Sequence, residues 1–495
     1  MPARRAFTVA GLAALSLVLA ACGSGGGNRA FSGSSTPSGA ALVRTGLFAF
    51  VSIDSDTGSD QWQQLDDLAH KFPGRDKAIA QFKGELTKEG VDYDSDVNPA
   101  LGPELDLAVV SGGTEESTKV VGLTKPDDPA KFKALVTKLN ESDSGGDTAV
   151  YREVGDGWYA ISDSQAAITS ALKGDQTALA DADTFKQAMG KLSGDALVKT
   201  YVDGQQVNEL ISRTAAKSGS SLGTGSLGLD KVKYISAAIS AEDDGLRVHG
   251  ASSGGNLGSG DFASQLIGGV PESALALLDF SGNSAAERLD QLLTSPQFDE
   301  AAKELTEYLG ISVDELMSLL DGEVAFYVRP AGLIPEFTLA LHPQDERAAL
   351  AALDKLAAHV AEVTGGQVEP GTQDDHQVKT VDVGRFAIHY GSVGGGKIVI
   401  TTGVNGVADY GAGSSVEDSA DFKEAKDAAG MPDSTGDVVY VDIKNLVPLI
   451  EGAATLAGGN LPEHAVDNLR PLRSLLAWSE GGSDSRTFDA FLEIK

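Results

Sequence analysis

Cysteine and cationic side chains are scarce in this chain of 495 residues, and each shortage excludes a class of function. The only cysteine is Cys22, so the chain cannot form an internal disulfide or a thiolate cluster for a metal. Lysine and arginine number 39 against 71 acidic residues, which gives a formal net charge of −32. Such an acidic surface repels phosphate, and no basic cluster offsets it, so nucleic acid is not an expected partner.

Long apolar runs are also missing beyond the amino terminus. No stretch after Cys22 approaches the roughly 18 apolar residues that a membrane-spanning helix needs. Arg4 and Arg5 precede the apolar run 6–21, which is too short and too rich in alanine for a comfortable bilayer span. Hydrophobic residues make up 41% and charged residues 22% of the chain, which indicates globular domains behind this segment.

The apolar run closes with Leu19, Ala20, Ala21 and Cys22. This segment resembles the lipobox of bacterial lipoproteins. The resemblance implies a diacylglyceryl group on the Cys22 sulfur, cleavage before Cys22, and acylation, as with palmitate, of the new amino terminus. It predicts that 1–21 is a signal peptide, that the mature charge is −34 after loss of two arginines, and that the protein is anchored to the outer face of the cell membrane. An ordinary secretory signal peptide is the alternative.

The export route is left open by the residues before the run. Arg4, Arg5 and Phe7 resemble the twin-arginine export motif, whereas a positive amino-terminal region is also general to secretory signals. Behind the cysteine, 22–45 is predicted as a Gly/Ser-rich tether, and coil statistics give its stretch 23–39 a reach of about 25 Å. The folded part is therefore expected to stand off the membrane.

The remaining chain carries an internal repeat in which four blocks recur in one order. Each block of the first copy is followed here by its match in the second: Asp181, Phe185, Lys186 and Ala188 with Asp418, Phe422, Lys423 and Ala425; Tyr201-Val202-Asp203 and Leu210-Ile211 with Tyr440-Val441-Asp442 and Leu449-Ile450; Pro126, Asp128, Lys138 and Leu139 with Pro343, Asp345, Lys355 and Leu356; Gly90, Leu105, Leu107 and Val109 with Gly310, Val324, Phe326 and Val328. The pattern predicts two tandem homologous lobes, 46–253 and 270–495, joined by a linker at 254–269.

Periodicity gives each predicted lobe the same order of elements. An opening strand is followed by two helices, two strands, a helix, two strands, helices, a strand, a helix and a closing hairpin. Phe132, Leu135, Val136 and Leu139 form an apolar helical stripe that indicates core. The fold class is therefore predicted as α+β, with mainly antiparallel sheets covered by helices on one face, in two sheets or a single fused one.

Two features resemble an uncharacterised family of exported bacterial proteins that is known as a domain of unknown function. These are Lys71-Phe72-Pro73-Gly74 and the Asp-x-x-x-Phe-Lys starts at Asp181 and Asp418. The resemblance covers the whole chain and implies an exported or anchored protein with this duplicated architecture. It carries no activity and no catalytic residue over to this sequence.

Two segments partly match a phosphate-binding loop and a calcium-binding loop, and each departs from the motif at an essential position. The glycine-rich segment from Gly391 to Lys397 has the spacing of a phosphate loop, but Ile398 replaces the Ser or Thr and a strand follows, which predicts a hairpin turn. The alternating acidic segment from Asp92 to Asn98 resembles the start of a calcium loop, but Val97 replaces its glycine. No nucleotide, metal or other cofactor is expected.

Serine and histidine patterns give no firm catalytic site. The two Gly-x-Ser-x-Gly matches, 219–223 and 250–254, lie in Gly/Ser-rich sequence, where a loop cannot hold a nucleophile under strain. His249 and His389 remain the candidate bases, and the histidines lack the spacing of zinc ligands. The three tryptophans Trp62, Trp158 and Trp478 are expected in the core.

These observations favour a non-enzymatic, lipid-anchored envelope protein that acts as a scaffold or a partner-binding module. A lipoprotein that binds a lipid or an apolar small molecule in a groove is the alternative. An envelope hydrolase is less favoured, because it would need a carboxylate pair that converges without a sequence motif. The identity of the protein partner or apolar ligand stays open.

The lipobox predicts that Cys22→Ala abolishes lipid attachment, because a thioether needs the Cys22 sulfur and the chain has no other cysteine. Cells fed a labelled fatty acid should mark the wild-type protein and not the variant, while the neighbouring Ser24→Ala variant should keep the label. A labelled Cys22→Ala protein would overturn the assignment.

Overall fold

A computed structural model describes most of the chain and divides it into two compact units. The described residues are 36–111, 118–142, 148–192, 194–218, 229–255, 260–283, 299–332, 335–384, 386–456, 459, 462–482 and 484–495. The first unit holds the described residues to 218 and those from 230 to 254, together with 494–495, and the second holds those from 255 to 493. The chain is α+β, as predicted.

The first unit alternates strands and helices in the predicted order. Its elements are β1 (Ala49–Asp54), α1 (Asp60–Ala69), α2 (Arg75–Lys88), β2 (Glu104–Val110), β3 (Lys119–Thr124), α3 (Pro129–Ser142), β4 (Val150–Gly155), β5 (Trp158–Ser162), α4 (Gln165–Ala171), α5 (Asp183–Lys191), β6 (Val198–Asp203), α6 (Gly204–Ser218), β7 (Tyr234–Glu242) and β8 (Gly245–Ser253).

All strands of the first unit pair antiparallel in the order β4-β5-β3-β2-β1-β6-β7-β8. The opening strand β1 is therefore central, and later strands add on both sides. In this register Ser52 of β1 lies opposite Asp106 of β2 on one side and opposite Lys199 of β6 on the other.

The second unit has the same kinds of element, with two more strands and one more helix among the described residues. Its elements are β9 (Ala276–Ser281), α7 (Asp299–Leu309), α8 (Val313–Leu320), β10 (Gly322–Arg329), β11 (Glu336–Pro343), α9 (Glu346–Thr364), β12 (Val368–Gln373), β13 (His376–Asp382), β14 (Ala387–Gly394), β15 (Lys397–Thr401), α10 (Gly406–Asp409), α11 (Ala420–Ala429), β16 (Val438–Asp442), α12 (Ile443–Leu456), α13 (Glu463–Leu469), β17 (Leu472–Gly481) and β18 (Ser485–Ile494).

The strands of the second unit pair antiparallel in the order β12-β13-β14-β15-β11-β10-β9-β16-β17. The hairpin of β12 and β13 extends one edge and was not predicted. Its turn is the segment around Asp374, which has a φ of +45°.

Helices cover both faces of each sheet, so the expectation of one covered face is wrong. In the first unit, α5 packs Phe185 among Phe50 and Tyr201, whereas α3 packs Phe132 against Tyr159 on the opposite face. In the second unit, α11 and α9 belong to two separate apolar clusters that contain Val399 and Ile398 respectively, which are neighbours in β15. Neighbouring strand residues point to opposite faces, so both faces need apolar side chains.

An edge-to-face aromatic pair occupies the core of each unit. The rings of Phe185 and Tyr201 lie 5.1 Å apart at 74°, and those of Phe422 and Tyr440 lie 4.9 Å apart at 85°. In both pairs the phenylalanine comes from a helix and the tyrosine from the strand beside the central one. The pair therefore fixes where the helix sits on the sheet.

The expected core tryptophans are buried, as predicted. Trp62 is 1% exposed, Trp158 8% and Trp478 5%. Packed structure also begins within the segment that the sequence assigned to the tether, since Ala40 and Val43 are fully buried.

Helix starts follow the sequence signals. Asp128 accepts hydrogen bonds from the backbone N–H groups at the start of α3, and Asp345 does the same at the start of α9. Ser312 and Glu315 form a reciprocal capping box at α8. The helices therefore begin where short polar side chains can satisfy their free N–H groups.

The aromatic pairs predict that Phe185→Ala and Phe422→Ala each destabilise the protein by about 3–5 kcal/mol, because each removes a buried ring and leaves a cavity. Chemical denaturation of the purified protein measures the loss. Phe386→Ala is the control, because Phe386 is 55% exposed and should cost little. A loss as small as that control in both core variants would contradict the assigned packing.

Candidate functional site

The residues predicted for export and lipid attachment lie outside the part of the chain that the structure describes. They are Arg4, Arg5, Phe7, Leu19, Ala20, Ala21 and Cys22.

The glycine-rich segment before Lys397 is a hairpin turn, as predicted. Gly394 of β14 lies opposite Lys397 of β15, and Gly395 and Gly396 between them have positive φ angles of 63° and 79°. The Lys397 ammonium donates to the backbone oxygen of Gln265 at 2.6 Å. Because a strand and not a helix follows, no helix N-terminus faces this loop for a phosphate.

The acidic segment 92–98 is occupied by ion pairs. Asp94 lies 2.8 Å from the Lys83 ammonium and Asp96 lies 2.6 Å from that of Lys138, which lowers the pKa of Asp96. Within the described ranges, no three histidine, cysteine or carboxylate side chains converge as metal ligands.

One of the two serine motifs lies in regular structure, contrary to the expected loop. Ser252 and Ser253 belong to β8, while the motif 219–223 falls outside the described residues. Nε2 of His249 lies 3.1 Å from the Lys191 carbonyl oxygen, and Nδ1 of His389 lies 2.8 Å from the hydroxyl of a threonine, Thr380. The strand pairing of β7 with β8 overrides the low-complexity composition of the segment.

Each unit contains a buried pair of carboxyl groups that the sequence did not reveal. In the first unit, Glu104 accepts the Gly39 N–H at 3.1 Å and Asp106 is fully buried beneath that glycine. A Cβ on Gly39 would lie 1.9 Å from the Asp106 carboxyl, so only glycine fits. Burial, with the charge of Glu104, raises the pKa of Asp106 well above its ordinary value, and burial also lowers that of Lys199.

The second unit places its pair differently. Glu323 accepts from the Ser264 hydroxyl at 2.6 Å and from the N–H groups of Gln265 and Leu266 at 3.0 Å. Asp279 is fully buried, and among the described residues neither of its carboxyl oxygens has a hydrogen-bond partner. Burial, followed by the charge of Glu323, raises the pKa of Asp279 to about 8. With a pKa of about 8, Asp279 is protonated at neutral pH.

An open pocket that encloses about 10 Å³, room for one water-sized group, lies in the second unit and is the candidate binding site. Four carboxylates line it. They come from α11 (Asp421 and Glu424), β16 (Asp442) and β18 (Glu493). The floor is built from buried side chains, since Glu493 is 2% exposed and Asp442 5%. We refer to it as the acidic pocket.

Hydrogen bonds within the chain hold most of these carboxylates in place. Asp442 caps α12 by accepting the Asn445 N–H at 3.0 Å, and the Asn445 amide bridges Asp442 and Asp421 at 2.7 and 3.0 Å. Lys444 lies 3.0 Å from Asp421. The Ser474 hydroxyl donates to Glu493 at 2.8 Å. The walls are therefore fixed before any ligand binds.

The Tyr440 side chain is 1% exposed and lines the acidic pocket. No described residue hydrogen-bonds to its hydroxyl. Burial, followed by the charges of Asp442 and Asp421, raises the pKa of Tyr440, so the phenol is protonated at neutral pH. The hydroxyl belongs to the lining of the acidic pocket and has no partner among the described residues, so it is available to a ligand.

The corresponding position of the first unit is filled by protein. Asp203 lies opposite Tyr234 in the first sheet, where Asp442 lies opposite Ser474 in the second. Tyr234 is 2% exposed and packs in the same cluster as Tyr201. A large side chain therefore stands where the acidic pocket has the small Ser474.

A half-exposed apolar face lies elsewhere on the second sheet. Leu278 lies opposite Phe326, both 37% exposed, and the rings of Phe326 and Phe337 stack 6.4 Å apart at 18°. We refer to these three residues as the apolar face.

None of the helices in the described part of the chain combines the length and apolar character that a bilayer crossing requires. The model of a family described as a protein of unknown function, DUF3352, matches residues 136–494, which is more than half of the chain. No curated protein and no solved structure gives a significant match.

The carboxyl pair of the second unit predicts a stability that falls as pH rises. The Asp279 pKa is raised in the fold, so its stabilising contribution is complete below the unfolded value near 4 and is lost as pH approaches 8. The slope approaches about 1.4 kcal/mol per pH unit. Asp279→Asn should remove this slope, because an amide does not ionise.

Thermal unfolding at several pH values checks this expectation. The melting temperature of Asp279→Asn relative to wild type should climb between pH 4 and pH 8. Asp375→Asn, at an exposed turn, is the matched control and should follow wild type. A constant difference for Asp279→Asn across this window would rule out the buried proton.

Proposed function

The chain belongs to the DUF3352 family, and we propose that it is an exported lipoprotein, anchored through diacylglycerol on Cys22, that binds a partner or ligand without catalysing a reaction. Support for the anchor comes from the lipobox Leu19 to Cys22 and from the Gly/Ser-rich segment that follows it. Two acyl chains give stable membrane association, because each buried methylene contributes about 0.8 kcal/mol. The mature protein would work just outside the cell membrane.

We further propose that the two units are tandem copies. Support comes from the pairing orders: once the hairpin of β12 and β13 is set aside, β14-β15-β11-β10-β9-β16-β17 matches the seven-strand order β4-β5-β3-β2-β1-β6-β7. Lys186 and Lys423 each donate to the backbone oxygen of the acidic residue five positions earlier, both at 3.0 Å. The aromatic pairs around Tyr201 and Tyr440 provide a third match.

The observation that carries the binding role is the difference between Tyr234 and Ser474. A copy whose interior is closed by a tyrosine suits a structural role, whereas a copy with an open pocket and an unpartnered Tyr440 hydroxyl suits recognition. The proposed function therefore places scaffolding in the first copy and ligand binding in the second.

A second candidate function is binding of a lipid or another apolar ligand. The apolar face favours it, because Leu278, Phe326 and Phe337 present adjoining side chains that are 37%, 37% and 43% exposed. Covering exposed apolar surface with an apolar ligand removes it from water, which favours binding.

Native mass spectrometry of the delipidated protein, purified from its own host, tests the binding role. We expect a bound species in the wild type that disappears in Ser474→Tyr, since this substitution fills the acidic pocket as Tyr234 fills its counterpart. Loss of the species in Phe326→Ser instead would favour the apolar face. A bare protein mass in wild type at every collision energy counts against both binding roles.

A further inference from the structure

We propose that the acidic pocket binds an organic cation of the alkylammonium class, with the ammonium group held between the Tyr440 hydroxyl and the surrounding carboxylates. This proposal rests on the proposed binding role of the second unit and names the chemistry of its ligand.

Charge is the first support. Four carboxylates and two cationic side chains, Lys444 and Arg473, line the acidic pocket, which leaves it a formal charge of −2. The Lys444 ammonium is already 3.0 Å from Asp421. A cation is the ligand that this excess of negative charge attracts, and the low-dielectric floor strengthens the attraction.

The spacing of the carboxylates suits an organic cation better than a metal ion. Among the described residues, carboxylates do not converge in the groups of three that a metal needs. An alkylammonium carries three N–H donors on one nitrogen and can use acceptors spread around a wider site. The enclosed space is about 10 Å³, which is room for one water-sized group, so the ammonium head alone enters the acidic pocket and its alkyl chain extends towards solvent.

The Tyr440 hydroxyl supplies an observation independent of the acidic residues. Its counterpart Tyr201 lies 3.2 Å from the Thr184 hydroxyl, and Thr184 precedes Phe185 as Asp421 precedes Phe422. The second unit has thus exchanged the neutral partner for a carboxylate that bonds to Lys444 and Asn445 instead. The phenol oxygen is left as an acceptor for the ammonium.

Three side-chain differences between the proposed copies each favour a cation site in the second unit. Three positions of the first unit correspond to three of the second: Thr184 to Asp421, Tyr234 to Ser474, and Ser253 to Glu493. The aromatic pairs align the first position. The other two are aligned because Tyr234 lies opposite Ser253, as Ser474 hydrogen-bonds to Glu493. Two of these changes add a carboxylate and the third opens space. Together they convert a filled core position into a cation site.

The ammonium has two possible sources, a free diamine or a lysine side chain of a protein, and the test separates them. Isothermal titration at low salt uses putrescine, cadaverine and a capped lysine peptide as probes, with calcium chloride as the inorganic comparison. We expect saturable binding of at least one amine at a single site, weakened by added salt. Binding of the diamines alone indicates a metabolite, and binding of the peptide indicates a protein partner.

Three variants assign the site. Ser474→Tyr should abolish amine binding, and Tyr440→Phe should weaken it by about tenfold or more, because a hydrogen bond to a charged group is lost. Tyr201→Phe makes the same change in the first unit and should leave binding as in wild type. Thermal unfolding of each variant confirms that the fold is retained.

The proposal is overturned if no amine binds at millimolar concentration, if calcium binds in preference to every amine, or if Ser474→Tyr binds amines as wild type does. A host-derived species that is lost in Ser474→Tyr but is not an amine would refute the ligand class and leave the binding role intact. A bare protein mass together with no amine binding would refute both.

Discussion

The contact between a helix phenylalanine and a strand tyrosine determines most of what surrounds it in each unit. Phe185 on Tyr201 and Phe422 on Tyr440 seat a helix across the strand next to the central one. Because the helix cannot shift without separating the two rings, the residue before the phenylalanine always lies beside the tyrosine hydroxyl. That residue is Thr184 in one unit and Asp421 in the other, so the strand end at Tyr440 has a carboxylate where the strand end at Tyr201 has a neutral hydroxyl.

The two sheets carry their buried aspartate on different strands. Ser52 and Asp106 face each other in the first sheet, and at the matching register the second sheet has Asp279 and Ala325. The buried aspartate is thus on β2 in the first unit and on the central strand β9 in the second. In each unit it lies near a glutamate, Glu104 or Glu323, that accepts a backbone hydrogen bond from the segment before the central strand. In both units the pKa of the buried aspartate beside that glutamate is raised, because burial and a neighbouring negative charge disfavour the ionised form.

Local signals made the α+β class, the element order and the helix starts predictable. The apolar stripe from Phe132 to Leu139 and the repeated segments around Tyr201 and Tyr440 each extend over a few residues and can be detected without a structure. The continuous apolar run Ile398-Val399-Ile400 indicates that helices cover both faces of the sheet. A strand covered on one face needs an apolar residue only at every second position. The acidic pocket left no local signal, because strand pairing and helix packing bring its walls together from Asp421 to Glu493. The hairpin of β12 and β13 was missed for another reason, since its Pro370 and Gly371 are unusual in strands.

Stability and recognition make opposite demands on the strand end at Tyr440. Filling it with a tyrosine, as Tyr234 does, buries apolar area and leaves no charge in the core. The second unit instead keeps Glu493 and Asp442 at 2% and 5% exposure around an open space, an arrangement that costs desolvation of two carboxylates. The strand end at Tyr201 is thus filled by a tyrosine, whereas the strand end at Tyr440 is left open. Under the proposed binding role, a ligand that neutralises the carboxylates would offset much of this desolvation cost.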